Sequence, residues 1–253
     1  MVRQIHVLGI CASPRRPSNS EFLLEQALTA AAEAAPECIT TEAYLMRGKQ
    51  FHPCNSCYDR CRTLKGDCTA KDSFQELQHK WHAADAIIYS VPVYHVSYPA
   101  QLHCFLDRLG CTNVFAYEHH RPPKLLKPIG VIAQGSHLFS GQEQAIMQLI
   151  QHALIMGCIP VAGDMWEAYF GAAGSTHCNS SGDGLQRLYE DGDFDAKAAV
   201  TGARSVGRRA AEMALIVSAG AVAWKQLLAQ DPLYEPLFQH LEAQPDQRAG
   251  VSQ

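Results

Sequence analysis

Gly9-Ile-Cys-Ala-Ser-Pro-Arg-Arg-Pro-Ser-Asn-Ser20 is the stretch that decides the fold, because it joins an apolar run to a helical pattern. The run before it, Ile5–Ile10, is apolar on both faces, as in a parallel strand that helices cover on each side. The segment after it, Glu21–Ala35, is rich in Ala, Leu and Glu, and Asn19 or Ser20 is placed to cap that helix. A strand, a turn and a helix in this order predict the start of an α/β domain.

The pattern of strand and helix repeats along the chain. Further apolar runs predict strands at Ala86–Val93, Ile129–Ala133 and Cys158–Ala162, and a weaker alternating run predicts an edge strand at Cys38–Leu45. Helical spacing predicts helices over Ser73–Ala83, Pro99–Leu109 and Gln142–Met156. This alternation predicts a doubly wound α/β fold, a five-stranded parallel sheet with right-handed crossovers and helices on both faces.

The last third of the chain has a different composition. Ala168–Gly192 is rich in Gly, Ser, Asn and Asp and is interpreted as a long loop. A helix is predicted from Ala196 to Ala229, with a break near Gly207 or Gly220. We therefore expect a single domain over residues 1–230 and a C-terminal tail over residues 231–253, disordered across Gln244–Gln253.

Composition limits the class of function. The 253 residues are 47% hydrophobic and 18% charged, with a formal net charge of -4, so no broad basic surface for nucleic acid is expected. No segment approaches the roughly 20 apolar residues of a membrane span, and no signal peptide is recognised. We expect a cytoplasmic protein, whose ten cysteines are thiols or metal ligands rather than disulfides.

The first turn has the composition of a phosphate site. A helix N-terminus offers unpaired N–H groups and the positive end of a dipole, and here it is surrounded by hydroxyl, amide and guanidinium side chains. Those side chains belong to Ser13, Arg15, Arg16, Ser18, Asn19 and Ser20. A Gly-Lys-Ser/Thr ending is absent, so this is not a P-loop. The alternative interpretation is a well-capped helix with no ligand.

Two more strand ends support a ligand site. Ser90-Val-Pro-Val-Tyr-His-Val-Ser97 follows the third predicted strand, and Ala133-Gln-Gly-Ser-His-Leu-Phe-Ser-Gly-Gln-Glu143 follows the fourth. In a doubly wound sheet, ligands bind outside the carboxyl ends of the strands. Both segments combine aromatic faces with small residues, which lets a planar ring approach the backbone.

A second chemical feature is a compact run of cysteines, Cys54, Cys57, Cys61 and Cys68, within a loop over residues 52–70. Four thiolates can converge on an iron–sulfur cluster. They can also bind a structural zinc ion, although zinc sites usually use two Cys-x-x-Cys pairs and one is present. Loose thiols or a redox disulfide are the third alternative. Most of the six scattered cysteines are interpreted as core residues.

Taken together, the chain resembles the NADPH-dependent FMN reductase family and, within it, the iron–sulfur flavoproteins. The resemblance spans about Ile5 to Gly163. It rests on Ser-Pro-Arg…Ser-Asn-Ser at 13–20, Pro-Val-Tyr at 92–94, Leu-Asp-Arg at 106–108 and Gly-Gln-Glu at 141–143. It implies a flavodoxin-like sheet of strand order 2-1-3-4-5 and a homodimer or homotetramer, in which a cluster can face the flavin of another chain.

The resemblance also implies which residues bind each cofactor. The FMN phosphate is expected at Ser13, Arg15, Ser18, Asn19 and Ser20. The ribityl chain and ring are expected against Pro92, Val93, Tyr94 and His95 on one side and Gln134, Gly135, Ser136 and His137 on the other. A 4Fe–4S cluster is expected at the four-cysteine loop, which should lie beside the flavin. The gap between its second and third cysteines, Tyr58–Arg60, is three residues rather than the usual two. Arg108 is expected to have a structural or dimer-contact role.

The chemistry expected from these cofactors is electron transfer. A flavin exchanges two electrons as hydride or one at a time, whereas a cluster carries one. We expect an FMN-dependent oxidoreductase that takes electrons from NAD(P)H or a ferredoxin and passes them to a quinone, a flavin or another small acceptor. Two alternatives remain: a plain NAD(P)H:FMN or quinone reductase with a zinc-bound or empty loop, and a non-catalytic electron carrier or thiol redox sensor. His95 and His137 are candidate proton donors.

Overall fold

A computed structural model describes residues 3–117, 121–164 and 166–243. The strands are β1 (Ile5–Cys11), β2 (Ile39–Leu45), β3 (Ala86–Pro92), β4 (Pro128–Gly135), β5 (Ile159–Pro160) and β6 (Ala172–Ser175). The helices are α1 (Asn19–Ala34), α2 (Tyr58–Thr63), α3 (Phe74–Ala83), α4 (Ala100–Phe115), α5 (Gln142–Ile155), α6 (Gly184–Glu190), α7 (Phe194–Ala223), α8 (Lys225–Leu228) and α9 (Glu235–Glu242).

The strands form one parallel sheet in the order β2-β1-β3-β4-β5, which confirms the predicted flavodoxin-like topology. β6 also pairs with β4, in parallel. β5 pairs only with Pro128 and Ile129 at the start of β4, so the edge from Ile132 to Gly135 is left for β6. The expectation of a loop throughout Ala168–Gly192 was therefore wrong: its small residues form a strand because β4 supplies open backbone hydrogen-bonding groups.

Helices cover both faces of the sheet, as predicted. On one face, α1 and α7 enclose a core that includes Val7, Leu24 and Val206. On the other, residues of α3, α4 and α5 enclose a core that includes Trp81 and Phe105. Burial of these apolar side chains on two faces is the main force that holds the sheet between its helices.

The last long helix has no break near Gly207, since α7 runs without interruption from Phe194 to Ala223. The helix predicted to reach Ala229 is interrupted at Trp224, four residues after Gly220, and α8 follows from Lys225. Gly207 lies within α7 where this helix crosses α1. A Cβ atom there would lie 2.0 Å from the carbonyl oxygen of Ala27, so glycine is needed for the close approach of the two helices. The glycine marks a packing contact rather than a break.

The first part of the predicted tail is helical and attached to the body. After a 3-10 turn at Pro232–Tyr234, α9 buries Leu237 and Phe238 against Ala221 of α7. His240 contacts Asp85 at 2.7 Å between Nε2 and Oδ1. The predicted disorder of Gln244–Gln253 lies outside the described residues, and the single domain over 1–230 stays a prediction. Among the described helices, none has both the length and the apolar character needed to cross a membrane.

Candidate functional site

The turn between β1 and α1 is built around the N-terminus of α1. Ser18 caps the helix, its Oγ accepting the backbone N–H of Glu21 at 3.3 Å. Ser13 lies just after β1, and its Oγ accepts the backbone N–H of Arg15 at 3.3 Å. Ser20 is 1% exposed, and its Oγ has no hydrogen-bond partner among the described residues. A buried hydroxyl without a partner is costly, so this atom marks the place where a ligand oxygen fits.

A second loop, residues 176–183 between β6 and α6, packs against this turn. Asn19 joins the two segments: its Nδ2 donates to the carbonyl oxygen of Ser181 at 3.0 Å, and its Oδ1 accepts the N–H of Leu185 at 3.0 Å. Arg15 donates to the carbonyl oxygen of Ser180. The backbones nearly touch at Gly182, where a Cβ atom would lie 2.1 Å from a carbonyl oxygen of the first turn. Asn19 thus anchors the second loop to the first turn.

The loops after β3 and β4 form the opposite side. The N–H of Val93 donates to the carbonyl oxygen of Gln134 at 2.7 Å, which fixes the two segments against each other. Gly141 lies against Val96, where a Cβ atom would be 2.6 Å from its Cα. Gly141 also has a φ of 105°, which favours glycine. Both features hold the two loops close together at the carboxyl edge of the sheet.

These segments enclose a cavity of about 190 Å³ at the carboxyl edge. It brings together eleven of the thirteen residues predicted to bind FMN: Ser13, Arg15, Ser18, Asn19, Ser20, Pro92, Val93, Tyr94, Gln134, Gly135 and Ser136. The position of the cavity agrees with the general rule for doubly wound sheets.

The other two predicted residues do not line the cavity. His95 lies at the tip of a tight turn in which Tyr94 and Ser97 exchange backbone hydrogen bonds of 2.7 and 3.1 Å, and its φ is 48°. His137 is exposed in the loop after β4. Both histidines are exposed.

Sequence analysis missed four residues that also line the cavity: Thr176, Asn179, Ser180 and Gly182. They belong to the loop after β6, whose strand was not predicted. Because β6 is parallel to β4, its carboxyl end lies at the same edge as the first turn. The concentration of Ser, Asn and Gly, the residue types of the first turn, is the signal in the sequence that points to them.

The cavity fits a phosphate group in charge and hydrogen bonding. The 16-residue helix α1 directs its N-terminus at it, which favours an anion. Arg15 adds a positive charge at the rim, and the unpartnered Ser20 hydroxyl lies at the floor. The residues present therefore match the group that the sequence predicted.

The four-cysteine loop forms a second, smaller cavity. Cys54, Cys57, Cys61 and Cys68 all line it, as the sequence analysis expected of a common site. A fifth cysteine, Cys111 of α4, lines it too, although it was grouped with the scattered cysteines. Cys111 was missed because the helix was predicted to end at Leu109, whereas α4 continues to Phe115 and presents Cys111 to the loop.

Arg108 of α4 holds this loop at both ends. Its side chain is 1% exposed and forms an ion pair with the buried carboxylate of Asp72, with Nη1 2.6 Å from Oδ2. It also donates to the carbonyl oxygens of His52 at 3.3 Å and Ala70 at 2.9 Å, and through Nε to Cys68 Sγ at 3.3 Å. The guanidinium therefore connects the start of the loop, its end and one of its sulfurs. The structural role expected of Arg108 is to hold this loop against α4.

Asp72, the ion-pair partner of Arg108, also binds the backbone at the start of the loop and just after its end. It accepts the backbone N–H of His52 at 2.7 Å and that of Phe74 at 2.9 Å. Burial by itself would raise the pKa of Asp72, but these N–H groups and the Arg108 guanidinium outweigh it and hold the pKa below its usual range. Asp72 is therefore charged at neutral pH and balances Arg108.

The cysteines affect one another's ionisation. Burial raises the pKa of Cys61, and the neighbouring Cys57, Cys68 and Cys54 raise it further. Burial also raises the pKa of Cys111 to about 12, with the charge of Cys54 as the next cause. Several thiolates brought together without a counter-ion repel one another, so the Cys61 and Cys111 thiols are protonated at neutral pH in the absence of a metal.

The donor set of this cavity is suited to iron or zinc, because both metals are bound by thiolates. Within residues 3–117, 121–164 and 166–243, no three His, Cys, Asp or Glu side chains are arranged as a group that holds a metal ion. The chemistry of the five thiols fits a thiolate-bound metal centre, and metal binding would require their side chains to converge further.

The two cavities share no lining residue. The loop of Pro92–Tyr94 leads into α4, which begins at Ala100 at the carboxyl edge of the sheet. Cys111 follows eleven residues later, about 16 Å along the helix axis. Within one chain, Cys111 therefore lies well along α4 from the edge that carries the first cavity, and the expectation that the cysteine loop lies beside the flavin stays a prediction.

Comparison with known proteins agrees with this geometry. The chain matches the family model of the NADPH-dependent FMN reductases over residues 5–171. It is 34% identical to an iron–sulfur flavoprotein of Archaeoglobus fulgidus over 167 residues, which are 66% of this chain and 80% of that protein. It is 31% identical to one from Methanosarcina thermophila over 186 residues, or 73% of this chain and 90% of that protein.

Solved structures share the fold at low identity. An azoreductase from Bacillus anthracis has a TM-score of 0.57 at 17% identity and covers 81% of this chain and 99% of its own. An NAD(P)H:quinone oxidoreductase from Methanothermobacter marburgensis has a TM-score of 0.54 at 16% identity. The match covers 81% of this chain and 98% of that protein. The fold, the phosphate-type cavity and the family match lead to one conclusion: this chain belongs to the NADPH-dependent FMN reductase family and is an FMN-dependent oxidoreductase.

Proposed function

We propose that the chain binds FMN in the cavity at the carboxyl edge, with the phosphate at the first turn. The observation that carries this assignment is the buried Ser20 hydroxyl, which has no partner among the described residues and lies at the N-terminus of α1. This hydroxyl would donate a hydrogen bond to a phosphate oxygen. Ser13 and the backbone N–H groups of the first helical turn would add further donors, and Arg15 would offset the charge.

The remaining lining residues would orient the flavin. The segments 92–94 and 134–136 are held together by the Val93 to Gln134 hydrogen bond, so they form a fixed boundary for the ring. Burial raises the pKa of Tyr94, and its hydroxyl therefore keeps its proton at neutral pH and can donate at the cavity mouth. Bound FMN would supply hydride acceptance and single-electron transfer.

We propose further that Cys54, Cys57, Cys61 and Cys68 hold a 4Fe–4S cluster. Their common cavity, the Arg108 donor to Cys68 and the name shared by the relatives support this assignment. Electrons would enter from NAD(P)H or a ferredoxin, pass between flavin and cluster, and leave to a quinone, a flavin or another small acceptor. Because the thiols must stay reduced, a cytoplasmic location belongs to the same proposal.

A second candidate is a plain NAD(P)H:FMN or quinone reductase whose loop is empty or binds zinc. It is favoured by one observation, that the described cysteines are not arranged as a ready metal-binding group. Anaerobic purification followed by analysis of FMN, iron, sulfide and zinc separates the two. About four iron and four sulfide per chain with one FMN supports the cluster; zinc without iron, or no metal after anaerobic reconstitution, would establish the second candidate instead.

We also propose that the protein is a homodimer or homotetramer. Large apolar side chains are exposed on the segments that follow β4 and β5. The exposed fraction is 94% for Phe139, 80% for Trp166 and 73% for Tyr169. Exposed apolar surface of this kind marks interaction sites. The distance between the two cavities along α4 is a second reason, since another chain could bring its cysteine loop to this flavin.

A further inference from the structure

Asn19 and Ser20 are adjacent at the N-terminus of α1, yet their side chains are used differently. The Ser20 hydroxyl has no partner among the described residues. The Asn19 carboxamide is bonded at both ends: Nδ2 donates to the carbonyl oxygen of Ser181 at 3.0 Å, and Oδ1 accepts the N–H of Leu185 at 3.0 Å. Ser20 is therefore open to a ligand, whereas the side chain of Asn19 is committed to the second loop and to the start of α6.

The second loop, residues 176–183, depends on contacts of this kind for its position. His177 and Cys178 have φ values of 49° and 64°, a left-handed conformation that costs free energy in residues with a side chain. Near its start the loop is held by the N–H of Cys178, which donates to the carbonyl oxygen of Ser136 at 2.6 Å. Near its end it is held by Asn19. The contacts, rather than the preference of the backbone, therefore keep the loop where it lies.

The second loop also forms one wall of the cavity at the carboxyl edge. Its residues Thr176, Asn179, Ser180 and Gly182 line that cavity together with the first turn. At Gly182 a Cβ atom would lie 2.1 Å from the carbonyl oxygen of Pro17, so the two segments are in backbone contact there. A displacement of the loop would therefore open the cavity at the end where the phosphate is proposed to bind.

We propose that Asn19 is a positioning residue, which acts on FMN through the second loop rather than by direct contact with the phosphate. This inference rests on the FMN site proposed above. With both hydrogen bonds of Asn19 intact, the loop lies against the first turn and encloses the phosphate end of the cofactor. Without them the loop moves away from the turn, and bound FMN dissociates faster. This role differs from the phosphate contact that the family resemblance implies for Asn19.

The experiment is a double-mutant cycle on FMN binding with Asn19→Ala and Gly182→Ala. Gly182→Ala displaces the loop through its clash with the Pro17 backbone and removes no polar side chain. Each single variant is expected to raise the dissociation constant about tenfold, the order expected for two lost hydrogen bonds. Stopped-flow fluorescence should show the change in the dissociation rate and not in the association rate. Because both variants act on the same loop, the double variant should bind within about twofold of Gly182→Ala.

Gly220→Ala is the matched control, because a Cβ atom on this glycine of α7 meets nothing within 4 Å. Its FMN affinity should equal that of the unaltered protein. Hydrogen exchange in the FMN-free chain gives a second readout, independent of the cofactor. The Cys178 amide, which is bonded to Ser136 and not to Asn19, should exchange faster in Asn19→Ala and at an unchanged rate in the control.

Two results would overturn the inference. One is a dissociation constant in the double variant that equals the product of the two single effects, which would show that Asn19 contacts FMN independently of the loop. The other is an unchanged rate of exchange at Cys178 in Asn19→Ala. If the unaltered protein binds no FMN, the proposed flavin site fails, which is distinct from failure of the positioning role because the exchange measurement needs no cofactor.

Discussion

At the scale of single residues, the decisive atoms are a hydroxyl oxygen and a set of sulfurs. The Ser20 hydroxyl is buried without a partner, although similar hydroxyls nearby are used within the protein, as in the cap made by Ser18. In the cysteine cavity, burial and neighbouring sulfurs raise the pKa values of Cys61 and Cys111, so these two thiols are protonated at neutral pH. The Ser20 hydroxyl therefore has a partner only when a ligand supplies one.

Replacing Ser20 with alanine should weaken FMN binding and leave the fold intact. A hydrogen bond to a charged group is worth about 1.5–3 kcal/mol, so the dissociation constant should rise at least tenfold. No internal hydrogen bond of the hydroxyl is lost, so the melting temperature of the FMN-free chain should not fall. Fluorescence titration and thermal unfolding measure the two effects.

The control for this variant is Ser18→Ala, which removes the helix cap and should lower the free energy of unfolding by about 1 kcal/mol. An FMN affinity in Ser20→Ala equal to that of the unaltered protein would show that the phosphate does not contact this hydroxyl.

The raised thiol pKa values predict the pH dependence of cysteine alkylation in the metal-free chain. A raised pKa means less thiolate at neutral pH, and the thiolate is the reactive form. Iodoacetamide should therefore modify the exposed Cys178 well before Cys61 and Cys111 at about pH 7, and the rate at Cys111 should climb until the pH approaches about 12. Peptide mass spectrometry follows each site. Equal rates at Cys111 and Cys178 at neutral pH would contradict this account.

At the scale of elements, α4 links the two sites. It begins at the edge that forms the flavin cavity and carries Arg108 and Cys111 farther along its length. The Arg108–Asp72 pair fixes the cysteine loop to this helix. The buried ion pair acts together with Gln75 and Gln78 of α3, whose side chains donate to the carbonyl oxygens of Cys68 and Gly66 in the loop.

Arg108→Met should therefore destabilise the protein strongly. It leaves the carboxylate of Asp72 buried without its cation, at a cost of about 3–5 kcal/mol in the free energy of unfolding. Urea unfolding measures the loss, and adding Asp72→Asn should restore part of it because the uncompensated charge is removed. In the matched control Arg62→Met, the side chain is 65% exposed and its ion pair with Asp59 should contribute less than about 1 kcal/mol. Equal losses in the two arginine variants would contradict the assignment.

The elements also show how far the sequence predicts the structure. The apolar runs at Ile5–Ile10, Ala86–Val93 and Ile129–Ala133 predict strands correctly, because residues buried on both faces leave an unambiguous pattern. β6 has the sequence Ala-Ala-Gly-Ser, which has no such pattern, and it forms only because β4 offers a free edge. The residues after β6 were missed as site residues for the same reason. Long-range pairing, rather than local propensity, determined that region.

The cysteine site was predicted in part. The spacing of the four loop cysteines indicated a common site, and the structure places them in one cavity. Cys111 and the clamp by Arg108 depend on which face of α4 meets the loop. That face is set by the packing of Phe105 and Leu109 and is not visible in the spacing of the cysteines.

At the scale of the whole molecule, the flavodoxin-like sheet places every strand end that carries a binding residue at one edge. The cysteine cavity lies farther down α4, so electron transfer between the two sites is expected to involve a second chain. The exposed Phe139 and Trp166 near the flavin edge are consistent with such a contact.

Sedimentation should therefore detect a dimer or tetramer at micromolar concentration. Phe139→Ser, which removes an apolar side chain that is 94% exposed, should shift the equilibrium towards the monomer with little change in the melting temperature of the monomer. A monomer at micromolar concentration in the unaltered protein would remove the proposal of transfer between chains.

The central claim is that this chain couples a flavin to an iron–sulfur cluster. Its most direct test is an anaerobic titration of the loaded protein with NADPH, in which flavin absorbance and the electron paramagnetic resonance of the cluster are recorded on the same samples. The account predicts loss of flavin absorbance together with the signal of a reduced cluster, and loss of that signal alone in Cys61→Ala. A flavin that NADPH reduces while the bound iron stays oxidised would contradict it.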